Sequence, residues 1–592
     1  MTISIKLKMI RKLSALPSLV KERLDSIDPY PFAGALFLIF FVFPLFCHGH
    51  PEVAADVGRY VNDALRVVNG ELPYKDFWLY FPPGEVFLPA FIYKVFGVNV
   101  NIVLISSVFI SALVGLASFL LSRLIVKDNS LALLSASLVF FGGLPATYGN
   151  LYLRPVTYFL FLLVSAYLLL LYFEGETFRK LFLSGIFIGL AFFFRIYEVG
   201  GAFVAFVIAI ILHYRLSNRA FNYCFKPVMI FCGGALLSFA LLTFPLIKIY
   251  PIMLKQIIVE SISTGVAVPS FYFQDSVVWL GYTLESFELF CKTGEVFYGL
   301  KAFINLVRLI NATLLYLLPF LLIPVSFLYL SNRGSGHRDR ITVLFFLMWG
   351  LLVLPKILAR CDLSELSPST TVLSFLLVYL LKRYPGSQIK KKSAMDSLIT
   401  TGLAVVAILL LATSILPHIR NLVSALKRPH YEVNARNGTL LLEDKLEAES
   451  INSVISFIEK NTKEGDYIYV TKWNAPPFYA LTNRRNPTHY DSALEPFYMS
   501  DKESLRKVCN DLIQKETKLI IHYPDWGEGE SRIFRYLEDR YPFFKGLAEQ
   551  AVVYDFLGRC ALLHKFIEDN FERVAEYGHY WMYVPRGATV VF

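Results

Sequence analysis

The residues best suited to chemistry lie in a polar segment between two apolar stretches, at positions 48–99. This segment interleaves charged residues with aromatic ones, and the charged residues include Asp56, Arg59, Lys75 and Asp76. A carboxylate can accept a proton from a hydroxyl group, and lysine or arginine can bind phosphate oxygens through charge-assisted hydrogen bonds. A long connection of this kind is more often functional than a simple link. The pattern therefore indicates a site that combines a base with cations.

Two short helices are predicted to position these residues. Apolar side chains recur at helical spacing from Val53 to Val68, with Asp56 in the first turn. Such an amphipathic helix is suited to lying on the membrane surface. A second helix is expected from Pro83 to Phe96, and its length of about 14 residues is too short to span a bilayer.

The composition of the chain indicates a membrane protein. Of its 592 residues 55% are hydrophobic and only 18% are charged, so the apolar excess must face lipid. The net charge is +10, but lysine and arginine occur in short clusters between apolar runs, which argues against nucleic-acid binding. The seven cysteines include no C-x-x-C pair. We therefore expect no disulfide framework, no metal site and no cofactor.

Eleven apolar runs approach the length of about 20 residues that a helix needs to cross a bilayer. They lie near 32–47, 100–122, 130–148, 151–173, 181–198, 200–213, 228–249, 304–330, 341–358, 369–382 and 397–416. Lysine and arginine gather in alternate connections, which the positive-inside rule assigns to the cytoplasm. We predict a polytopic α-helical protein of the cell membrane with about 11 transmembrane helices and a cytoplasmic amino terminus.

The predicted topology leaves three regions outside the membrane. These are the loop 48–99, a second large loop at 250–303, and the residues after the last span. Residues 1–416 would form the transmembrane domain, and residues 417–592 an extracytoplasmic domain. Helix and strand patterns alternate in the latter, which predicts a small α/β domain. Its expected elements are a helix at 445–460, a strand at 467–470, a helix at 501–515, a strand at 519–522 and a strand near 550–555.

Four stretches resemble the GT-C glycosyltransferases related to the dolichyl-phosphate-mannose protein mannosyltransferases and the lipid A aminoarabinose transferases. The first is the loop itself, with Asp56-Val-Gly-Arg-Tyr, Asn69-Gly-Glu-Leu-Pro-Tyr-Lys-Asp, Phe81-Pro-Pro-Gly and Phe96-Gly97. The others are similar to prokaryotic members and run from Ser184 to Glu198, from Ala359 to Glu365 and from Tyr479 to Thr488. The chain departs from many members at Val57, where they have Glu, and at Glu365, where they often have His.

The resemblance implies a transferase that moves a hexosyl or pentosyl group from a polyprenyl-phosphate donor to a glycan, lipid or protein acceptor outside the membrane. In this family, the carboxylate matching Asp56 deprotonates the acceptor, which attacks the anomeric carbon in one inverting displacement. Negative charge develops on the departing phosphate, and cations can stabilise it. The candidates to bind that phosphate are Arg59, Lys75, Arg154, Arg195 and Arg360. The acidic candidates for other substrate contacts are Asp76, Glu198, Asp362 and Glu365.

Each candidate also has a purely structural interpretation. Asp56 could stabilise a helix dipole, Arg195 could pair with Glu198 three residues later, and Lys75 could pair with Asp76. Arg154 could reach the interface from a span end, and the aromatic residues of the loop could form an interfacial belt. Two other functions stay open, namely a transporter or lipid-carrier flippase and a non-catalytic assembly protein. A transporter predicts charges near the middle of spans, whereas those of this chain lie toward one side.

Overall fold

The computed structural model describes most of the chain. The described residues are 28–47, 55–143, 153–260, 274–331, 336–355, 363–384, 394–427, 430–442, 444–471, 477–490, 502–523 and 556–591.

In the described part of the first 427 residues, the named secondary-structure elements are all helices. The helices are α1 (Pro29–Cys47), α2 (Ala55–Val68), α3 (Gly84–Phe96), α4 (Val100–Val126), α5 (Asn129–Gly142), α6 (Leu153–Gly175), α7 (Phe178–Phe192), α8 (Tyr197–Leu216), α9 (Asn222–Thr243), α10 (Tyr250–Leu254), α11 (Gln274–Thr293), α12 (Val296–Ser331), α13 (His337–Val353), α14 (Leu363–Arg383) and α15 (Ala394–Lys427). A 3-10 helix (Phe244–Ile249) precedes α10, and a π-helix (Lys255–Glu260) follows it.

The apolar runs fold as helices because a helix satisfies its backbone polar groups internally, which lipid cannot do. Each of the eleven predicted runs overlaps a helix within the described residues. Six helices in the described ranges are long and apolar enough to cross a membrane: Val100–Val126, Pro155–Gly175, Tyr197–Leu216, Asn222–Ile258, Val296–Ser331 and Met395–Val423. The other runs form helices that are shorter or more polar, such as α7 with 15 residues. The number of eleven spans therefore stays a prediction.

Ion pairs bring several of the basic connections together at one end of the bundle. Lys382 Nζ lies 3.0 Å from Asp128 Oδ2, and Arg338 pairs with Glu174. Arg338 also donates to the Leu124 carbonyl, near the carboxyl end of α4. At the other end of α4, the Val100 amide donates to the Asn437 carbonyl in the carboxy-terminal region at 3.0 Å. The basic connections and the carboxy-terminal domain thus lie at opposite ends of this helix.

The carboxy-terminal region contains both helices and strands, as the sequence predicts. Its elements are β1 (Tyr431–Ala435), β2 (Gly438–Leu442), α16 (Lys445–Asn461), β3 (Ile468–Val470), α17 (Phe478–Thr482), α18 (Lys502–Gln514), β4 (Leu519–His522), α19 (Phe556–Asn570), β5 (Phe571–Tyr577) and β6 (Tyr580–Pro585). The strands β1 and β2 form a hairpin, and the others form a sheet in the order β3-β4-β6-β5. Only β3 and β4 are parallel within that sheet. The strand expected near 550–555 lies outside the described residues.

The apolar face of α2 is covered by protein. Tyr60, Val61, Ala64 and Leu65 are each at most 2% exposed. They belong to one apolar cluster with residues of α3 and of the carboxy-terminal domain, including Leu481. The expectation that this helix lies with its apolar face on the membrane surface is therefore wrong. Helical periodicity identifies an apolar face, but it does not identify what covers that face.

A buried histidine connects β4 to α19. His522 Nδ1 lies 3.1 Å from Thr471 Oγ1, and His522 Nε2 lies 3.1 Å from His564 Nδ1. The other nitrogen of His564 faces Glu568 at 3.2 Å. Two facing ring nitrogens form a hydrogen bond only when one of them carries a proton. A proton on both of the facing nitrogens would break this bond. Burial, and secondly His564, lowers the pKa of His522 to about 4.

We expect the stability of the carboxy-terminal domain to fall by about 3 kcal/mol as the pH decreases from about 6.5 to about 4. The unfolded chain binds a proton at His522 near pH 6.5, whereas the folded domain binds it only near pH 4. Between these values the unfolded state therefore holds more protons. The measurement is amide hydrogen exchange of β4 in the full-length protein, corrected for intrinsic rates. His522→Gln should remove the pH dependence, and His579→Gln, at an exposed position, should retain it. Equal protection of β4 at pH 7 and pH 4 would contradict the assignment.

Candidate functional site

Arg59 lies in α2 and is buried among residues of the first loop. Its Nη2 lies 3.8 Å from Glu85 Oε1, and the two side chains are 9% and 5% exposed. Its Nη1 donates to the Tyr80 hydroxyl at 3.4 Å. The guanidinium carbon lies 5.0 Å from the centre of the Tyr80 ring and 5.1 Å from that of Phe81. An arginine can stack on aromatic rings in this way and still present several donors.

Arg195 reaches the same aromatic ring from the turn between α7 and α8. Its guanidinium carbon lies 5.5 Å from the centre of the Phe81 ring. Its Nη1 lies 3.5 Å from Glu198 Oε1, and the two side chains are 8% and 2% exposed. The pairing of these two residues, which was the structural alternative for Arg195, is therefore present. Two buried arginine–glutamate pairs, one containing Arg59, converge on Phe81. Because buried charges are costly to maintain, such a concentration is a candidate functional site.

A close backbone approach joins α3 to the turn that carries Arg195. The Gly84 amide donates to the Phe193 carbonyl at 2.8 Å. A Cβ atom on Gly84 would lie 2.7 Å from that carbonyl oxygen and 2.8 Å from the Phe194 ring. Only glycine leaves room for this contact. The Pro-Pro-Gly sequence that opens α3 thus brings Glu85 and Arg195 into one site.

The loop before α3 is fixed by contacts with a distant segment. Gln256 is 5% exposed, and its amide donates to the Tyr74 carbonyl at 3.0 Å and accepts from the Leu79 amide at 3.2 Å. Tyr74 has a φ of 69°, a strained conformation for a bulky residue. Its hydroxyl donates to the Phe81 carbonyl at 2.8 Å. Burial, and secondly the Glu85 carboxylate, raises the pKa of Tyr74. These contacts hold Phe81 in place from both sides of the loop.

The remaining predicted residues are placed as follows. Lys75 and Asp76 are exposed at the surface of the loop, and the Asp76 carboxylate accepts a hydrogen bond from the Leu72 amide at 2.7 Å. Asp56, Arg154 and Glu365 lie in the first turns of α2, α6 and α14, and their side chains lie outside the described part of the structure. Arg360 and Asp362 lie outside the described residues altogether. The structure thus brings together Arg59, Arg195 and Glu198.

Several residues of the site were not predicted from the sequence. Glu85 is the most important, and a signal for it existed, because it is the only acidic residue in an apolar helix after Pro-Pro-Gly. Tyr80 and Phe81 were considered only as part of an interfacial belt or of a motif. Nothing in the sequence distinguishes Gln256, since its partners are backbone atoms of a segment far away in the chain.

The described residues define an integral membrane protein with six helices suited to crossing a bilayer and a carboxy-terminal α/β domain. No protein-family profile and no curated protein matches the sequence. Among solved structures, the oligosaccharyltransferase of Archaeoglobus fulgidus in its apo form is similar, with 10% sequence identity and a TM-score of 0.42. The alignment covers 87% of this chain and 72% of that one.

Proposed function

We propose that this protein is a GT-C membrane glycosyltransferase that takes a sugar from a polyprenyl-phosphate donor outside the membrane. The observation that supports the proposal most is the convergence of Arg59 and Arg195 on Phe81. Two buried guanidinium groups offer a phosphate group several fixed, charge-assisted hydrogen bonds. The resemblance of the first loop to the GT-C enzymes supports the same interpretation from the sequence.

In the proposed reaction, an acceptor hydroxyl attacks the anomeric carbon of the sugar. A new glycosidic bond forms as the bond from that carbon to the phosphate oxygen breaks, and the phosphate leaves with the electron pair. Asp56 takes the proton of the hydroxyl, and inversion at the anomeric carbon follows from a single displacement. Arg59 and Arg195 stabilise the charge that develops on the leaving phosphate. Glu85 and Glu198 hold the two guanidinium groups in place.

The other candidate residues are proposed to make additional contacts with the substrates. Lys75, Arg154 and Arg360 would supply further contacts to the phosphate. Asp76, Asp362 and Glu365 would contact the sugar or the acceptor, which is a glycan, lipid or protein. The bilayer supplies the lipid-linked donor, and the carboxy-terminal domain lies on the extracytoplasmic side. Neither a metal nor a cofactor is part of the proposed mechanism.

Arg195→Lys should weaken donor binding by about 10-fold or more, because lysine retains the charge but loses the two-pronged geometry that matches phosphate. Lysine is preferable to alanine, since alanine would leave Glu198 buried without a cation. The measurement is the affinity of the full-length protein in lipid nanodiscs for a polyprenyl-phosphate-linked sugar. Arg179→Lys is the matched control, because Arg179 is exposed in the first turn of α7.

The same nanodisc preparation can distinguish a glycosyltransferase from a flippase and from an assembly protein. A glycosyltransferase should release free polyprenyl phosphate and form a new glycosidic bond when donor and acceptor extracts are supplied. A flippase would move the intact donor across the bilayer, and an assembly protein would do neither. Unchanged donor affinity in Arg195→Lys, together with intact donor after incubation, would refute the proposed function.

A further inference from the structure

Arg66 connects three parts of the molecule. It lies near the carboxyl end of α2 and is 6% exposed. Its Nε lies 2.7 Å from Glu71 Oε2, and its Nη2 donates to the Thr488 carbonyl of the carboxy-terminal domain at 3.0 Å. Its guanidinium carbon also lies 4.6 Å from the centre of the Phe77 ring. The Arg66 side chain therefore links α2 to the loop that follows it and to the carboxy-terminal domain.

Further hydrogen bonds join the same surfaces on both sides of Arg66. The Trp78 amide donates to the His489 carbonyl at 2.8 Å, and His489 Nδ1 lies 3.3 Å from the Asp76 carbonyl. One turn before Arg66, the Asn62 side chain accepts from the Ala480 amide at 3.0 Å. Most of these contacts use backbone atoms, so they fix the path of the loop rather than single side chains.

These contacts do not touch the two buried arginine–glutamate pairs, but they determine the geometry around Arg59. That arginine is carried by α2, and the rings on which it stacks, Tyr80 and Phe81, are carried by the loop. A change in the position of the loop relative to α2 would therefore separate Arg59 from its rings. Errors of about 1 Å in such an arrangement can cost about 100-fold in rate.

We infer that the carboxy-terminal domain is part of the catalytic unit, and that Arg66 is the positioning residue through which the segment 486–490 sets the conformation of the loop 71–81. The catalytic consequence rests on the proposed function, whereas the docking role does not. A lysine at this position could not reach Glu71 and Thr488 together, because it lacks the planar fork of arginine.

The test compares Arg66→Lys with Arg484→Lys in the full-length protein in nanodiscs. Arg484 is a matched control because it is 4% exposed and also donates to a carbonyl, that of Thr462 at 2.6 Å, but within the carboxy-terminal domain. For Arg66→Lys we expect amide exchange of the loop 71–81 and of 486–490 to rise about 10-fold or more, with β4 and α16 unchanged. Arg484→Lys should instead raise amide exchange within the carboxy-terminal domain. Asn62→Ala is a milder change on the same surface. It should give a smaller rise in the exchange of the loop 71–81 and of 486–490.

The kinetic readout separates positioning from general loss of structure. Arg66→Lys should lower kcat about 10-fold or more, while donor affinity changes only a few-fold because Arg195 stays in place. Millimolar guanidinium ion should restore part of the activity of Arg66→Ala but not that of Arg484→Ala. Unchanged exchange of the loop, or faster exchange with unchanged kcat, would overturn the inference. If the wild-type protein transferred no sugar, the proposed function would fail, and the exchange result would still decide the docking role.

Discussion

Asp56→Asn should lower the rate of sugar transfer by about 100-fold or more, which is the usual contribution of a general base. Asparagine retains the shape of aspartate and can accept hydrogen bonds, but it cannot take up the proton of the acceptor hydroxyl. Asp56 lies three residues before Arg59 in α2, a spacing that brings two helix positions to one face. Donor binding should largely survive, because Arg59 and Arg195, the arginines proposed to bind the phosphate, are unchanged. Single-turnover transfer from a labelled polyprenyl-phosphate sugar gives the rate.

Asp76→Asn is the control for this experiment. The Asp76 carboxylate is exposed and accepts a hydrogen bond from the Leu72 amide within a turn, which asparagine can also accept. Its contribution to stability should be about 1 kcal/mol or less, and the loss of rate in Asp76→Asn should be much milder than that in Asp56→Asn. A normal rate in Asp56→Asn combined with a severe loss in Asp76→Asn would show that the base is misassigned. Normal rates in both would instead favour the transporter or assembly function.

Gly84→Ala should reduce both the stability of the protein and the rate of sugar transfer. The added Cβ atom would lie 2.7 Å from the Phe193 carbonyl oxygen, which is a backbone atom and cannot move without shifting the turn that carries Arg195. Overpacking of this kind costs about 1–3 kcal/mol, and the hydrogen bond from Gly84 to Phe193 would also be lost or strained. The displacement of α3 relative to Arg195 should lower transfer about 10-fold or more. Thermal unfolding in detergent and the single-turnover rate measure the two effects.

Gly233→Ala is the matched control for the glycine substitution. Gly233 lies in α9, and no atom of another described element lies within 4 Å of the position that a Cβ atom would take. Alanine favours a helix over glycine by about 1 kcal/mol, so this variant should be as stable as the wild type or slightly more stable. If Gly84→Ala behaved like Gly233→Ala in both measurements, the close approach of α3 to the Arg195 turn would not be required.

Local patterns in the sequence predicted the helices and one part of the site. Apolar runs gave the positions of the helices, because composition alone decides whether a segment can lie in lipid. The spacing of Arg195 and Glu198 suggested that they could pair, and they do, but Arg195 lies in the turn before α8 and not on one helix with Glu198. The strands β5 and β6 were missed, and β5 shows no regular alternation of buried and exposed residues.

The rest of the site depends on contacts that sequence patterns do not encode. Gln256 binds the backbone of Tyr74 and Leu79, and Arg66 binds the backbone of Thr488. Backbone groups are the same at every residue, so nothing in the composition of either segment indicates its partner. The convergence of two distant arginines on Phe81 likewise arises from the packing of α3 against the turn after α7. The charged residues can be identified from the sequence, but the contact of two of them with the same aromatic ring cannot.

The burial of α2 has a consequence for biogenesis. Its apolar face is covered in part by Phe478 and Leu481, which the ribosome adds about 400 residues after α2. At a synthesis rate of about 5–20 residues per second, this face stays uncovered for roughly 20–80 s while the intervening helices insert. The first loop therefore reaches its final conformation only after translation is nearly complete. A nascent chain released after Lys427 would hold most of its membrane helices but leave α2 without this cover, and such an exposed surface is a recognition signal for chaperones and membrane proteases.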